Sequence, residues 1–256
     1  MKAIILAGGL GTRLSEETHL RPKPLVEIGG KPILWHILKL YSYYGINEFV
    51  ICCGYKGYMI KEYFANYFLH TSDVTFHMDI DSKMEIHQRK NEPWKVTLVD
   101  TGDTTQTGGR LARVGEYLNG DTFCFTYGDG VADVNIVALL DHHRRLGLEA
   151  TLTAVQPPGR YGALSLNGDA VLQFQEKPDG DNAWINGGFF VLEASVLDRI
   201  SGDACSWEGE VLPALAAQGQ LTAYRHDGYW QPMDTLRDRN RLEELWSSGQ
   251  APWKKW

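Results

Sequence analysis

Apolar and polar positions alternate along the first half of the chain in a way that predicts strands followed by helices. The apolar run 3–7 suits a strand that is buried on both faces. Residues 31–44 carry apolar side chains at helical spacing, with Pro32 in the first turn and Gly45 as a stop signal. Similar patterns predict strands at 49–53, 96–99, 123–127 and 150–155, and helices at 58–68, 110–118 and 134–146. This β-α-β-α alternation predicts a doubly wound sheet with helices on both faces.

The second half of the chain has shorter apolar runs and more turn signals. Asn167-Gly168-Asp169 separates the runs 163–166 and 170–174 and predicts a β-hairpin. A strand at 185–192, a helix at 208–218, an extended segment at 224–233 and a helix at 235–246 follow. We therefore expect an α/β, Rossmann-like fold with a mostly parallel, mixed central sheet and a small β-rich portion in the C-terminal half.

Composition limits the class of protein. The chain has 256 residues, 43% of them hydrophobic and 22% charged, which suits one large globular domain. A net charge of −7 and the lack of any basic run argue against nucleic acid as a partner. We expect no membrane span and no secretory leader, and therefore a cytoplasmic protein. The four cysteines form no C-x-x-C pair, so we expect buried, reduced thiols.

The first apolar run ends in a glycine-rich loop, Gly8-Gly9-Leu10-Gly11, which is followed by Arg13. Backbone N–H groups that converge in such a loop bind phosphate, and an arginine adds a charged fork. The dinucleotide fingerprint G-x-G-x-x-G fails because Leu14 stands at its third glycine. The ATP-binding G-x-x-x-x-G-K-[ST] loop is also absent, so the sequence predicts a phosphate loop of another type.

Lys23 lies between Pro22 and Pro24, which stiffen the chain around it. A stiff lysine that follows a glycine loop suggests a second phosphate contact, with a solvated basic loop as the alternative. Asp129 lies between two glycines after the strand 123–127 and is a candidate Mg²⁺ ligand. The alternative role, a helix cap, suits Asp133 better. Because open α/β sheets bind ligands at the carboxyl ends of strands, we expect Gly8, Gly128 and Asp129 to face one crevice.

Four further segments carry candidate chemistry, each with a structural alternative. Asp234 is a second acid, although its place before the last helix equally suits an N-cap. Glu176 and Lys177 could hold sugar hydroxyls and a phosphate, or form a surface ion pair. Asn186-Gly187-Gly188 interrupts a strand, which indicates a bulge, a ligand approach or a poorly formed edge strand. The polar loop 100–110 could bind a base edge or be a simple turn.

These motifs occur in the order seen in sugar nucleotidyltransferases, and the chain resembles that family over most of its length. The motifs are Leu6–Arg13, Pro22–Pro24, Gly128-Asp129, Glu176–Pro178 and Asn186–Gly188. Segments 51–57, 101–103, 107–111, 125–131 and 230–235 are similar to the branch of the family that transfers CMP to glucose 1-phosphate. The resemblance implies a Mg²⁺-dependent reaction of CTP with α-D-glucose 1-phosphate that gives CDP-D-glucose and pyrophosphate, for deoxysugars of O-antigen and lipopolysaccharide.

The resemblance also implies roles for individual residues. It assigns nucleotide binding to Leu6, Ala7, Gly8, Gly9, Leu10, Gly11, Thr12, Arg13, Lys23, Thr105, Arg110, Gly128 and Asp129. Arg13 and Lys23 are the implied catalytic groups on the phosphates, and Asp129 and Asp234 the implied metal ligands. Thr104 is an equal candidate for the role of Thr105 beside the cytidine. The implied sugar phosphate contacts are Tyr161, Gly162, Glu176, Lys177, Asn186 and Gly187.

The same resemblance implies one nucleotidyltransferase domain over 1–256, with nucleotide binding in 1–155 and sugar binding and subunit contacts in 156–256. It also implies a homohexamer. Trp253 and Trp256 in the C-terminal tail would then pack against a partner subunit or their own domain. Two alternative functions remain open: a uridylyl- or thymidylyltransferase with the same fold, and a non-catalytic nucleotide-sugar binding protein.

Overall fold

The structure is a computed structural model that describes residues 1–9, 14–79, 83–87, 92–157, 163–167, 170–175 and 183–256. Its strands are β1 Lys2–Leu6, β2 Glu27–Ile28, β3 Lys31–Pro32, β4 Glu48–Cys53, β5 Asp73–Phe76, β6 Met84–His87, β7 Lys95–Asp100, β8 Phe123–Tyr127, β9 Gly130–Ala132, β10 Ala150–Val155, β11 Ala163–Asn167, β12 Ala170–Gln175, β13 Ile185–Leu192, β14 Leu221–His226 and β15 Trp230–Pro232. Its α-helices are α1 Ser15–Thr18, α2 Ile33–Tyr43, α3 Gly57–Ala65, α4 Thr107–Arg113, α5 Ile136–Leu146, α6 Leu212–Ala217 and α7 Leu236–Ser247.

A central sheet of seven of these strands, in the order β14-β10-β13-β8-β1-β4-β7, carries the fold. Strand β1 lies between β4 and β8 and is parallel to both, with Ile4 opposite Val50 and Phe125. Strand β13 runs antiparallel to its neighbours β8 and β10, so the sheet is mixed. The expected Rossmann-like, doubly wound fold is confirmed, and so is the hairpin formed by β11 and β12.

The sheet separates two hydrophobic cores because side chains along a strand alternate between its faces. Along β1, Ile5 packs into the core that includes α2, α5 and α7, whereas Ile4 packs into the core that includes α4 and α6. Phe189 and Phe190 of β13 divide between the two cores in the same way. Burial on both faces explains why these strands are continuous apolar runs rather than alternating ones.

Neither aspartate that was considered as an alternative helix cap, Asp133 or Asp234, caps a helix. Asn135 caps α5 by accepting a hydrogen bond from the backbone N–H of Ala138 at 3.0 Å. Thr235 caps α7 in a capping box with Asp238. Asp133 instead accepts a 2.7 Å hydrogen bond from the backbone N–H of Tyr229. Asp234 accepts a 2.8 Å hydrogen bond from Nζ of Lys23.

The boundaries of three elements differ from the expectations. Helix α4 begins at Thr107, three residues before the expected 110, because Gly108 and Gly109 let it approach another segment closely. A Cβ on Gly108 would lie 2.8 Å from the carbonyl oxygen of Cys205, and one on Gly109 would lie 2.6 Å from Cα of Asp203. The expected helix 208–218 consists of a π-helical turn at Trp207–Val211 followed by α6, and the extended segment 224–233 divides between β14 and β15.

The C-terminal tryptophans pack on their own chain. Trp253 is completely buried and stacks on Tyr229, with ring centroids 5.7 Å apart. Trp256 meets Trp35 edge to face at 5.8 Å. Trp253 is therefore covered by its own domain, which was one of the two alternatives for the tail.

The four cysteines are buried and unpaired, as the composition predicts. Burial raises the pKa of Cys53 to about 11, which keeps that thiol protonated. Among the described parts of the chain, no helix is both long and apolar enough to cross a membrane.

His36 provides a test of this packing through pH. Its Nδ1 accepts a hydrogen bond from Nε1 of Trp253 at 3.3 Å, so Nε2 carries the proton and donates to the carbonyl of Ile28 at 2.9 Å. Burial lowers the pKa of His36 to about 4. An unfolded histidine has a pKa near ~6.5, so the unfolded state binds more protons between these two values and stability falls as pH drops through that window.

We expect the titration of His36 to lower the free energy of unfolding by about 3 kcal/mol as the pH falls from 7 to 4. Urea unfolding of the wild type and of His36→Gln at four pH values measures the effect. The variant should be less stable at pH 7 and should depend less on pH. Equal pH dependence in both proteins would contradict the assignment.

Candidate active site

A crevice of about 710 Å³ opens at the carboxyl ends of β1 and β8. Residues from five segments line it: Leu6, Ala7, Gly8, Gly9, Lys23, Pro24, Asp103, Thr104, Thr105, Gln106, Thr107, Arg110, Tyr127, Gly128, Asp129 and Asp234. Gly8, Gly128 and Asp129 face one crevice, as expected from the strand order. This is the edge at which open α/β sheets bind ligands.

Lys23 lies at the centre of the charged part of the crevice. Its Nζ atom donates hydrogen bonds to Oδ2 of Asp129 at 2.6 Å and to Oδ1 of Asp234 at 2.8 Å. The Lys23 side chain is only 10% exposed. Burial by itself lowers the pKa of Lys23, but the charges and hydrogen bonds of Asp129 and Asp234 outweigh it, so the pKa is raised. Lys23 therefore stays protonated at neutral pH, and the solvated-loop alternative is wrong.

Strand pairing brings the two carboxylates together although they are far apart in sequence. The antiparallel pair β9–β15 sets Gly130 opposite Pro232. The pairing continues with a 2.8 Å hydrogen bond from the backbone N–H of Met233 to the carbonyl of Asp129. Met233 is completely buried, which anchors this short strand. Asp234 follows directly and reaches the same lysine as Asp129.

Lys23 reaches the carboxylates because prolines shape its backbone. Pro22 is extended, with φ −64° and ψ 146°, and a 3₁₀ turn at Lys23–Leu25 follows. The backbone N–H of Val26 closes this turn on the carbonyl of Lys23 at 3.0 Å. The ring of Pro24 lies beside Gly128, where a Cβ would be 3.3 Å from Pro24 Cγ. Packing of the turn against the end of β8 thus sets the position of the ammonium.

The two described glycines of the first loop serve different purposes. A Cβ on Gly8 would lie 2.2 Å from Nη1 of Arg110, so the missing side chain of Gly8 leaves room for that guanidinium. A Cβ on Gly9 would meet no atom of the described residues within 4 Å, so Gly9 borders open space in the crevice. Only Gly9 fits the expectation that the glycines clear a path for a ligand.

Arg110 supports the polar loop from inside. It is 5% exposed, and Nη1 donates to the carbonyl of Gly102 at 2.7 Å and to Oγ1 of Thr101 at 2.8 Å. Nη2 donates to the carbonyl of Asp103 at 3.2 Å. Burial lowers the pKa of Arg110. The guanidinium therefore holds three consecutive residues of the loop in place at the crevice wall.

The rest of this loop is anchored to a distant segment. The backbone N–H of Gln106 donates to the carbonyl of Asp203 at 2.8 Å, and Arg113 forms a bidentate pair with the Asp203 carboxylate. Thr105 is 7% exposed and lines the crevice, and so does Thr104. The choice between the two threonines stays open.

Several expected site residues lie outside the described parts of the chain: Leu10, Gly11, Thr12, Arg13, Tyr161, Gly162, Glu176 and Lys177. Asn186 and Gly187 are described but do not line the crevice. Asn186 Nδ2 donates to the hydroxyl of Tyr127 at 3.3 Å. Gly187 has a packing role, since a Cβ there would lie 2.8 Å from Cγ1 of Val155. Gly188 adopts the bulge conformation that the sequence suggested, with φ +79°.

Tyr127, Gln106 and Thr107 also line the crevice but were not singled out from the sequence. Tyr127 immediately precedes Gly128-Asp129, so the strand that led to Asp129 could have indicated it. Glu208 accepts hydrogen bonds from Thr107 and Tyr127 at 2.6 Å, yet it is separated by 81 residues from Tyr127. No local sequence signal points to Glu208.

Asp129 and Asp234 are the residues that could hold a metal. Both carboxylates already converge on one cation, the Lys23 ammonium. In the described ranges no cluster of three or more His, Cys, Asp or Glu side chains is suited to a metal. Mg²⁺ typically takes one or two protein carboxylates and completes its shell with water and substrate phosphates. The donor set fits that pattern and does not fit an all-protein site.

A mixed α/β sheet with a glycine loop, a buried lysine and two acids at its carboxyl edge defines a nucleotide-binding class. Residues 2–238 match the family described as nucleotidyl transferase, so the chain belongs to this family. Among its relatives, the "Glucose-1-phosphate cytidylyltransferase" of Salmonella typhimurium is 66% identical over the full length of both chains. The "Probable glucose-1-phosphate cytidylyltransferase" of Bacillus subtilis is 43% identical, again over both full lengths.

Solved structures agree on the fold. The crystal structure of HddC from Yersinia pseudotuberculosis superposes with a TM-score of 0.70 at 24% identity. The match covers 96% of this chain and 99% of that one. At this identity the likeness supports the Rossmann-like architecture.

Gly128 offers a structural test of the crevice. A Cβ on Gly128 would lie 2.6 Å from the carbonyl oxygen of Leu6, whose bond to the Gly128 N–H is 2.8 Å long. We expect Gly128→Ala to push β1 and β8 apart and to cost roughly 1–3 kcal/mol of stability. Denaturant unfolding measures this cost. Gly9→Ala is the matched control and should change stability by less than about 0.5 kcal/mol; equal losses would contradict the close-approach argument.

Proposed function

We propose that this chain transfers CMP from CTP to α-D-glucose 1-phosphate, which gives CDP-D-glucose and pyrophosphate. One observation carries the proposal: Lys23 contacts both Asp129 and Asp234 in a crevice large enough for a nucleotide. The full-length relatives named as glucose-1-phosphate cytidylyltransferases support the choice of both substrates. The joint presence of Lys23, Asp129 and Asp234 favours a transferase over a non-catalytic nucleotide-sugar binding protein.

The reaction brings two anions together, so positioning and charge neutralisation are the main requirements. A phosphate oxygen of glucose 1-phosphate attacks the α-phosphorus of CTP in line, and the bond to the β-phosphate oxygen breaks. That attacking oxygen is already ionised at neutral pH, so no general base is required. Lys23, with its raised pKa, supplies a permanent positive charge for the leaving pyrophosphate. Arg13 is proposed for the same task.

Asp129 and Asp234 are the proposed ligands of Mg²⁺. When bound, the ion would neutralise charge on the triphosphate. Carboxylate oxygens of both residues lie within hydrogen-bond distance of the Lys23 ammonium, which offsets one of their two negative charges. These residues thus provide a cation position next to the phosphates, and Lys23 is placed to contact the same phosphates.

Base selection is proposed to lie in the loop 101–106. Cytosine differs from uracil at the exocyclic amino group and at N3, so a few hydrogen bonds decide between them. Arg110 holds the backbone of this loop rigid, which favours selection by positioned groups rather than by a flexible turn. A pyrophosphate-release screen with CTP, UTP and dTTP distinguishes cytidylyl transfer from uridylyl and thymidylyl transfer.

The remaining expectations extend this proposal. We propose that 156–256 supplies the sugar side, with Tyr161, Gly162, Glu176, Lys177, Asn186 and Gly187 near the sugar phosphate. A homo-oligomer, a hexamer by resemblance, is also proposed. Apolar side chains exposed on and beside the β5–β6 hairpin support a subunit contact, since Phe76 is 56% and Met78 91% exposed.

A pyrophosphate-release screen tests the activity directly. We expect release with CTP plus glucose 1-phosphate, much slower release with UTP or dTTP, and none when a chelator removes divalent ions. Product analysis should show CDP-glucose. Preference for UTP or dTTP would replace the proposed base, and no release with any nucleotide and sugar phosphate would leave the binding-protein alternative.

Lys23→Ala tests the charge at the reaction centre. We expect kcat to fall by about 10²–10³-fold, as for other removed transition-state contacts. Because the substitution also leaves Asp129 and Asp234 without their shared cation, the free energy of unfolding is measured alongside, and kcat is compared under conditions in which both proteins are fully folded. Lys95→Ala is the control, because Lys95 forms an exposed pair with Glu48 and should keep full activity. Near-normal turnover of Lys23→Ala would remove this residue from the mechanism.

A further inference from the structure

We propose that Glu208 is a positioning residue that couples the nucleotide side of the crevice to the sugar side. The inference rests on the proposed transferase function. Glu208 does not line the crevice, but its carboxylate accepts hydrogen bonds from two residues that do. Oε2 accepts from Oγ1 of Thr107 and Oε1 accepts from the hydroxyl of Tyr127, both at 2.6 Å.

The two partners come from different segments that line the crevice. Thr107 begins α4 and directly follows the loop proposed to select the base. Tyr127 ends β8, two residues before Asp129, and its hydroxyl accepts a 3.3 Å hydrogen bond from Asn186 Nδ2. Asn186 belongs to the segment proposed for the sugar. Glu208 therefore joins both sides through one carboxylate.

The backbone next to Glu208 is rigidly placed. Trp207 is completely buried and packs edge to face on Phe125 and Phe190, with centroid distances of 5.5 and 5.7 Å. Ser206 begins this turn, and its side chain accepts a hydrogen bond from the backbone N–H of Gly209 at 3.0 Å. An exposed carboxylate on such an anchored turn loses little freedom when it bonds, which makes it an effective positioning group.

The direction of the hydrogen bonds requires a group that only accepts. Thr107 Oγ1 already accepts from the backbone N–H of Trp207 at 3.0 Å, and the Tyr127 hydroxyl already accepts from Asn186. Each hydroxyl has a single hydrogen, and both hydrogens point to Glu208. Glutamine would set an NH₂ group against one hydroxyl, so that the hydroxyl hydrogen would lose its acceptor.

Coupling has a measurable consequence. A nucleotide that binds against Thr107 restricts its side chain, and Glu208 transmits this constraint to Tyr127 and Asn186. Binding of a nucleotide should therefore tighten binding of glucose 1-phosphate, and the reverse. Loss of a hydrogen bond to a charged group corresponds to about tenfold or more in kcat/KM.

Calorimetry on the whole protein tests the coupling. The Kd of glucose 1-phosphate is measured with and without a CTP analogue whose α,β-bridging oxygen is replaced by a methylene group. We expect the analogue to lower this Kd in the wild type and to have little effect in Glu208→Gln. Steady-state kinetics should show kcat/KM reduced about tenfold for both substrates in the variant. The coupling between the two ligands is the readout that a merely structural role of Glu208 would not move.

Glu210→Gln is the matched control. Glu210 is an equally exposed acid of the same turn, and it accepts a 2.8 Å hydrogen bond from the backbone N–H of Ser206. It should keep the wild-type coupling. Tyr127→Phe added to Glu208→Gln should cause little further loss of coupling, because both changes break the same bond.

The outcomes separate the two proposals. A wild type that forms no CDP-glucose overturns the proposed function. A wild type that forms CDP-glucose while Glu208→Gln keeps its coupling, or while Glu210→Gln loses it equally, overturns the role of Glu208 alone.

Discussion

The charged contact of Lys23 with Asp129 and Asp234 organises the crevice. Two carboxylates at one point repel each other and lose hydration, and a buried ammonium without partners would be strongly destabilised. Together the three groups satisfy one another at 2.6 and 2.8 Å. The contact also joins the turn after the glycine loop, the end of β8 and the end of β15. In a complex with a ligand that carries phosphates and a cation, the phosphates would contact Lys23 in place of the carboxylates. The cation would contact Asp129 and Asp234 in place of the ammonium.

Close backbone approaches make this arrangement possible. Gly128 lets the end of β8 approach the end of β1, and Gly8 leaves room for the guanidinium of Arg110. Arg110 in turn holds the loop 101–103 against the crevice. The missing side chain thus serves internal packing at Gly8 and leaves open space at Gly9. Conformational freedom is limited on both sides of the crevice, which suits a reaction that depends on alignment.

Sequence patterns predicted the sheet well because strands buried on both faces leave continuous apolar runs. The runs at 49–53, 123–127 and 150–155 match β4, β8 and β10 to within one residue. Helix starts were less well predicted, since α4 begins at Thr107 through packing of Gly108 and Gly109 on the segment after Gly202. The caps of α5 and α7 are Asn135 and Thr235 rather than the aspartates considered as alternatives, because neighbouring Asp, Asn and Thr side chains all suit a cap. Tertiary contacts decided which of them remained free to take that role.

The sequence by itself determined the alternation of strands and helices, the glycine loop, and the identity of Lys23, Asp129 and Asp234 as candidates. These follow from local periodicity and from the chemistry of single residues. Only the tertiary structure decided that Asp234 faces Lys23 rather than a helix end, because the β9–β15 pairing sets its position. It also decided that the Arg110 guanidinium donates hydrogen bonds to residues 101–103. The same holds for the Glu208 carboxylate, which accepts hydrogen bonds from Thr107 and Tyr127. Contacts between residues 81 or 211 positions apart depend on the strand order, and no local pattern records them.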